Sequence, residues 1–248
     1  MIDIHAHILP EMDDGSQSLE ESLDMLRIAV ESGVSAMVAT PHCNIPGVYD
    51  NYYDVAYLHA FQRLTERIQE EQLPITLIPG MEVFMTSDIP DLLEQKKLIT
   101  INQGPYLLVE FAFDLPGEYM TSMLHPLAQQ GVIPVIAHPE RYDAIRRDPR
   151  IIQGWQDCGY GIQINKGSLE GDLGEREQDM AFSMLEKGLC SAIASDAHSP
   201  LERNPWMKDL YEDLLEDFDE KYMEILFCEN PWRICNGEKL LTATSQEN

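Results

Sequence analysis

The sequence predicts a parallel α/β fold and, within that class, a barrel of seven β/α units. Three observations carry the expectation. Seven short apolar stretches of strand character recur along the 248 residues. Amphipathic helical patterns separate them, as they do when helices cover a parallel sheet. No G-x-G-x-x-G follows the first strand, so the open doubly wound sheet, which is the alternative, lacks its dinucleotide fingerprint.

The first strand is read in "MIDIHAH". Side chains alternate along a strand, so His5 and His7 point the same way. The helix "SLEESLDMLRIAVESG" follows. Ser18 and Glu21 form a capping box, Leu19, Leu23, Leu26 and Val30 share a face, and Gly33 ends it. The strand "VSAMVATPH" leads to the helix "VAYLHAFQRLTERIQEE", whose apolar face is Leu58, Phe61, Leu64 and Ile68. Next come "ITLIPGMEV", the short helix "DIPDLLEQKK", "YLLVEFAF", the helix "MTSMLHPLAQQG" and "VIPVIAHPE". The strand "YGIQINKG", the helix "EREQDMAFSMLEKG", the strand "CSAIASDAH" and the helix "MKDLYEDLLEDF" complete the alternation. No linker or low-complexity run divides residues 1–248, so one domain is expected, with a loose polar tail from about 240.

The chain carries 17 basic and 43 acidic residues, a formal charge of −26. Such a field repels nucleic acid and anionic membrane surfaces and suits a protein that binds cations. The five cysteines are odd in number and none has C-x-x-C spacing, which reads as reduced thiols. No signal peptide precedes the first strand and no apolar run is long enough to cross a bilayer. A cytoplasmic protein without membrane insertion is expected.

Ligand-type residues recur at the strand ends. His5 and His7 end the first strand, His42 the second, Glu82 the third and His138 the fifth. Glu110 lies in the fourth, and Asp196 and His198 end the seventh. Asp14, in the loop after the first strand, can reach the same place. In a parallel barrel the carboxyl ends of all strands open on one face, where active sites form. A single strand-end histidine is commonly structural, but a lone glutamate in an apolar strand, such as Glu110, is costly without partners. Six of seven strands delivering such groups at once points to a metal centre. Imidazole and carboxylate without thiolate suit Mn²⁺, Fe²⁺ or Zn²⁺. Nine candidates are too many for one ion, so two or three ions sharing a bridging carboxylate are expected, with phosphoester or amide hydrolysis as the chemistry.

The set "DIHAH", "DDG", "TPH", "GMEV", "VEF", "IAHPERY" and "ASDAH" resembles the PHP (polymerase and histidinol phosphatase) metallo-phosphoesterases. Within them it is most similar to the CpsB/CapC-type tyrosine-protein phosphatases of bacterial capsule and exopolysaccharide operons. The resemblance runs from Met1 to about Trp232. It implies a distorted barrel of seven β/α units holding three divalent metal ions, with Mn²⁺ first among them. By position, His5, His7, Glu82 and Asp196 would hold the first ion. Glu82, Glu110 and His138 would hold the second, and Asp14, His42 and His198 the third. Arg141 and Arg203 match family positions that grip phosphate, as a guanidinium fork does well. Pro139, between ligand and arginine, only restricts the backbone. The implied reaction is hydrolysis of phosphotyrosine by metal-bound water. The implied partner is the phosphorylated tail of a tyrosine autokinase controlling polysaccharide export.

Three rivals stand beside this. One is a phosphatase of histidinol phosphate or a sugar phosphate. Another is a metal-stabilised module without activity. The third is an amidohydrolase, for which Lys166 would be the strand-end lysine. A thiol-based tyrosine phosphatase is excluded, because its loop needs C-x5-R. The residues six positions after the five cysteines are Tyr49, Ile164, Asp196, Ile234 and Leu241.

Overall fold

The seven predicted strands are all present in a computed structural model that describes residues 1–242, and among those residues every pairing between strands of the two sheets is parallel. Two of the seven are broken in the middle. The second is split into β2 (Ala36–Ala39) and β3 (His42–Cys43), and the third into β4 (Thr76–Pro79) and β5 (Glu82–Phe84). The break has a local cause: Pro41 has no N–H to give to a ladder, and Pro79-Gly80 interrupts the neighbour at the same level. The loose tail expected from about 240 falls beyond Thr242, outside the described residues.

The remaining strands are β1 (Ile2–Ala6), β6 (Tyr106–Glu110), β7 (Ile133–Ala137), β8 (Gly161–Asn165) and β9 (Ala192–Ala194). They form two sheets, a three-stranded one in the order β1-β2-β4 and a six-stranded one in the order β3-β5-β6-β7-β8-β9. The barrel expected from sequence is therefore not closed by a continuous ladder. A single parallel bridge, Ala6 to Ala197, joins the ends of the ring. Two hydrogen bonds sew this seam, His7 N to Ala197 O at 2.8 Å and Asp196 N to His5 O at 2.9 Å. Asp3 adds to it from inside. Its fully buried carboxylate accepts from Ser195 Oγ at 2.5 Å and Ser195 N at 3.1 Å. Those bonds meet the cost of burying an acid in the wall.

The helices surround this wall. α1 (Leu19–Glu31) starts at Ser18, whose hydroxyl accepts from Glu21 N. The capping box is half formed, because Glu21 Oε2 accepts from Gln17 N at 2.8 Å rather than from Ser18. α2 (Val55–Glu70) buries Tyr57, Ala60, Leu64 and Ile68, whereas Leu58, expected on that face, is 47% exposed. Tyr57 turns inward because its hydroxyl donates to Gly80 O at 2.9 Å. α3 (Ile89–Glu94), α4 (Gly117–Gln129), α8 (Glu175–Glu186) and α9 (Lys208–Leu214) correspond to predicted helices. α5 (Asp143–Arg147), α6 (Arg150–Asp157), α7 (Lys166–Glu170), α10 (Glu220–Glu224) and α11 (Asn230–Asn236) were not foreseen. A π-helical turn at Ile225–Glu229 links the last two, and Tyr222, Met223, Leu226, Phe227 and Ile234 bury the face this stretch presents to the barrel.

Candidate metal centre and phosphate site

The strand ends turn ligand side chains into one mouth. His138 follows β7 with φ 35° and ψ 53°, and Asp196 follows β9 with φ 51°. Left-handed backbone is uncommon outside glycine, although His and Asp tolerate it better than most residues. Three-residue 3-10 helix Pro139–Arg141 begins at once and carries Arg141 back over the mouth. Pro139 is its first residue, so the proline sets the turn that presents the arginine. Arg203, also left-handed at φ 49°, is tied down by its carbonyl, which accepts from His198 N at 2.9 Å.

All nine candidate ligands converge. Ligand atoms within 4.8 Å of one another form four groups: His7, Asp14, His42 and His198; His5, His7 and Asp196; His5, Glu82 and His138; His42, Glu82 and Glu110. His5 Nε2 lies 3.3 Å from both Glu82 Oε1 and Asp196 Oδ1, and 3.2 Å from His7 Nε2. Glu82 is central to these groups. It also meets His138 Nε2 at 2.8 Å and His42 Nδ1 at 2.9 Å. One grouping differs from expectation. His42 faces Glu82 and Glu110 with Nδ1, at 2.9 and 3.1 Å, and Asp14 only with Nε2, at 3.6 Å. It thus stands between two of the expected sites.

The electrostatics are those of a packed ligand set. Burial would depress the His42 imidazole, yet Glu82 and Glu110 outweigh it and lift the group to about 10. Burial and the neighbouring His7 push His198 down to about 3. Burial opposes ionisation of Glu82 and Asp196, but the surrounding imidazoles hold both well below the usual carboxylate range.

Does this arrangement fit metal ions? His42 Nδ1, Glu82 Oε2, Glu110 Oε1, His138 Nδ1 and His198 Nε2 are buried and make no hydrogen bond, although several lie close together. Buried polar atoms without a partner call for an explanation, and an ion site is one. Four of these atoms — all but His138 Nδ1 — face other ligand groups, so lone pairs pointing at a common centre fit a cation.

Sequence reasoning missed three supporting side chains. Asp13 is buried and Asp14 is 54% exposed at its side chain. Asp13 Oδ2 accepts from His7 Nδ1 and His42 N, each at 2.7 Å, and Oδ1 accepts from Gly15 N at 2.9 Å. Gln163 and Asn165, on β8, contact His5 and Asp196. Both are fully or almost fully buried polar residues on one face of an otherwise apolar strand, and that alternation was the available signal.

The arginines meet at Asp196 Oδ2: Arg203 Nη2 at 2.5 Å and Arg141 Nη1 at 3.9 Å. Arg141 also lies 4.4 Å over the Phe113 ring. A cavity of about 300 Å³ opens beside them, lined by Asp14, His42, Glu82, Glu110, His138 and Asp196, with Ile45, Phe84 and Phe113 as apolar walls. A larger cavity, about 660 Å³, lies at the other end of the strands beside Tyr106, Tyr160 and Gly237–Thr242, away from this chemistry. Lys166 pairs with Glu170 at 3.1 Å and lines neither the cavity nor any ligand group, which removes the feature the amidohydrolase reading needed. Cys43 is fully buried and burial alone pushes its thiol well above the ordinary range, so it is no nucleophile.

A parallel β/α wall whose strand ends gather histidines and acids in this way has the architecture of a metal-dependent hydrolase. The chain belongs to the CpsB/CapC family of capsular polysaccharide synthesis, whose model matches residues 1–236. It is 38% identical over 204 residues to the tyrosine-protein phosphatase YwqE of Bacillus subtilis, covering 82% of this chain and 80% of that one. It is 31% identical over 239 residues to the tyrosine-protein phosphatase CpsB of Streptococcus pneumoniae, covering 94% and 98%. Crystal structures of YwqE and CpsB, described as unique metal-dependent tyrosine phosphatases, include a chain matching this one over 100% of both lengths, with a TM-score of 0.89 and 33% identity. No helix among the described residues is long and apolar enough to cross a membrane.

Proposed function

We propose that this chain is a metal-dependent protein-tyrosine phosphatase acting on a phosphotyrosine-bearing protein, with the tail of a bacterial tyrosine autokinase of capsule or exopolysaccharide export as its partner. The observation that carries the reading is the convergence of nine imidazole and carboxylate groups at one mouth, where six of them and two arginines line one cavity. His5, His7, Glu82 and Asp196 would hold one divalent ion, Glu82, Glu110 and His138 a second, and Asp14, His42 and His198 a third, with Mn²⁺ the best match to this donor set. Bound ions supply Lewis acidity and lower the pKa of water.

The chain's own residues do the rest. Arg141 and Arg203 bind the non-bridging phosphoryl oxygens and neutralise the charge that grows there. Asp196 holds both guanidinium groups near the ligands until substrate arrives. The apolar walls Ile45, Phe84 and Phe113 give a phenyl ring a surface to lie on. The mouth is open enough for a protein tail: the Asp14 and Arg203 side chains are 54% and 36% exposed.

The test is metal analysis of the purified protein together with turnover of a phosphotyrosine peptide and of histidinol phosphate. Chelation should abolish peptide hydrolysis and Mn²⁺ should restore it best. Full activity after exhaustive chelation, or a preference for histidinol phosphate, refutes the reading.

A further inference from the structure

Of the seven strands expected from sequence, six bring a ligand-type side chain to the mouth, and the sixth, β8, does not. It brings two amides instead. Gln163 Oε1 lies 2.9 Å from His5 Nδ1, Gln163 Nε2 lies 2.8 Å from Asn165 Oδ1, and Asn165 Nδ2 lies 2.6 Å from Asp196 Oδ2. All four residues are buried.

We propose that Gln163 and Asn165 are positioning residues that form a one-way hydrogen-bond relay, which fixes a proton on His5 Nδ1 and so commits His5 Nε2 to the metal centre. Chemistry alone forces the direction. An ionised carboxylate only accepts, so Asp196 requires the NH₂ end of Asn165. Asn165 then turns its carbonyl oxygen to Gln163, which must answer with its own NH₂. That leaves the Gln163 oxygen facing His5, and an oxygen there accepts only if Nδ1 carries hydrogen. The remaining nitrogen, Nε2, points at Glu82, Asp196 and His7 with its lone pair free.

Glu140 anchors the relay from behind. Glu140 Oε1 accepts from Asn165 N at 2.9 Å and from Ser168 Oγ at 2.7 Å, which fixes the strand end that carries Asn165. The other ligands with a Nδ1 partner are set more simply. His7 uses the Asp13 carboxylate and His198 the carbonyl of Asp196. His5 has a neutral partner whose orientation would be ambiguous without Asn165. Asn165 thereby makes one ligand, Asp196, specify the proton position of another, His5, across the centre.

The inference rests on the metal-centre reading, and the two fail differently. Zinc, which is diamagnetic, is the probe. In zinc-loaded protein labelled with ¹⁵N-histidine, His5 should show a slowly exchanging Nδ1–H. Asn165→Leu, which does not touch His5, should speed that exchange at least tenfold. Its zinc affinity, read by competition with a chelator, should fall about 10- to 100-fold. A wild type that takes up no zinc overturns the metal centre and the relay together. Zinc uptake with an unprotected His5 Nδ1–H overturns the relay alone. A loss of affinity with unchanged His5 exchange also overturns it, because Asn165 would then act on Asp196 only. If Asn165→Leu does not fold, Gln163→Met is read the same way, and retained protection in that variant refutes the relay.

Discussion

Asp13→Asn replaces a carboxylate that accepts three hydrogen bonds with an amide that accepts at one end only. The least costly placement keeps the amide oxygen on His7 Nδ1 and His42 N. Its NH₂ then faces the buried Gly15 N–H, and a stranded donor costs about 1–3 kcal/mol. A second route gives a similar figure. Burial favours the neutral acid, but His7 and the N–H donors hold Asp13 down to about 2, from 3.8. That difference corresponds to about 2 kcal/mol at neutral pH. A carboxyl held below its unfolded-state value adds stability above that value and loses it as pH falls through the folded one. The wild-type advantage should therefore be full at pH 7 and shrink to about half by pH 3. Denaturation of metal-stripped wild type and Asp13→Asn across this range reads it, and at pH 7 the melting temperatures should differ by about 4–8 °C. A gap under about 0.5 kcal/mol at pH 7, or one that does not change with pH, refutes the reasoning.

A Cβ on Gly15 would lie 2.2 Å from His7 O and 2.4 Å from His7 Cβ, so Gly15→Ala should cost about 3 kcal/mol and impair metal uptake; an unaltered melting curve would show that the loop simply moves aside. Arg141→Ala and Arg203→Ala should each lower turnover about 10²- to 10³-fold while keeping full metal content, and loss of metal in either variant would make that arginine a structural support. Metal-replete Cys43→Ser should keep activity within about tenfold, whereas a drop of a hundredfold, about 2.7 kcal/mol of barrier, would reinstate a thiol mechanism.

The strands were legible because buried parallel strands are apolar throughout, and the candidate ligands because all but Asp14 lie at or near the end of one. The breaks at Pro41 and Gly80 were visible as residues but not as a split into two sheets, since that depends on both interruptions falling at one level. α5, α7 and α10 are too short to show a period, and α6, with Pro149 before it and Gly154 within it, gives mixed local signals. In "DDG" two identical acids differ only in which one the turn buries; the family resemblance pointed to Asp14 for the mouth, but nothing in the local sequence pointed to Asp13 as the partner of His7. Gln163 and Asn165 did stand out against their apolar strand, and a strict reading of its alternation would have placed both on the face that Glu82 and His5 share.

The seam between β1 and β9 has a consequence in time. Each of its two main-chain bonds involves a candidate ligand, His7 in one and His5 with Asp196 in the other, and Ser195 Oγ reaches His5 O at 3.4 Å across 190 positions of sequence. At the usual pace of translation, roughly 10–40 s separate the synthesis of the first strand from that of the last. Through that interval His5 and His7 have no Asp196 opposite them, and the set of candidate ligands is incomplete. The full set of candidate ligands is therefore assembled only when the final strand docks beside the first. An ion seated between them would staple the two ends of the chain at the place where the wall is thinnest.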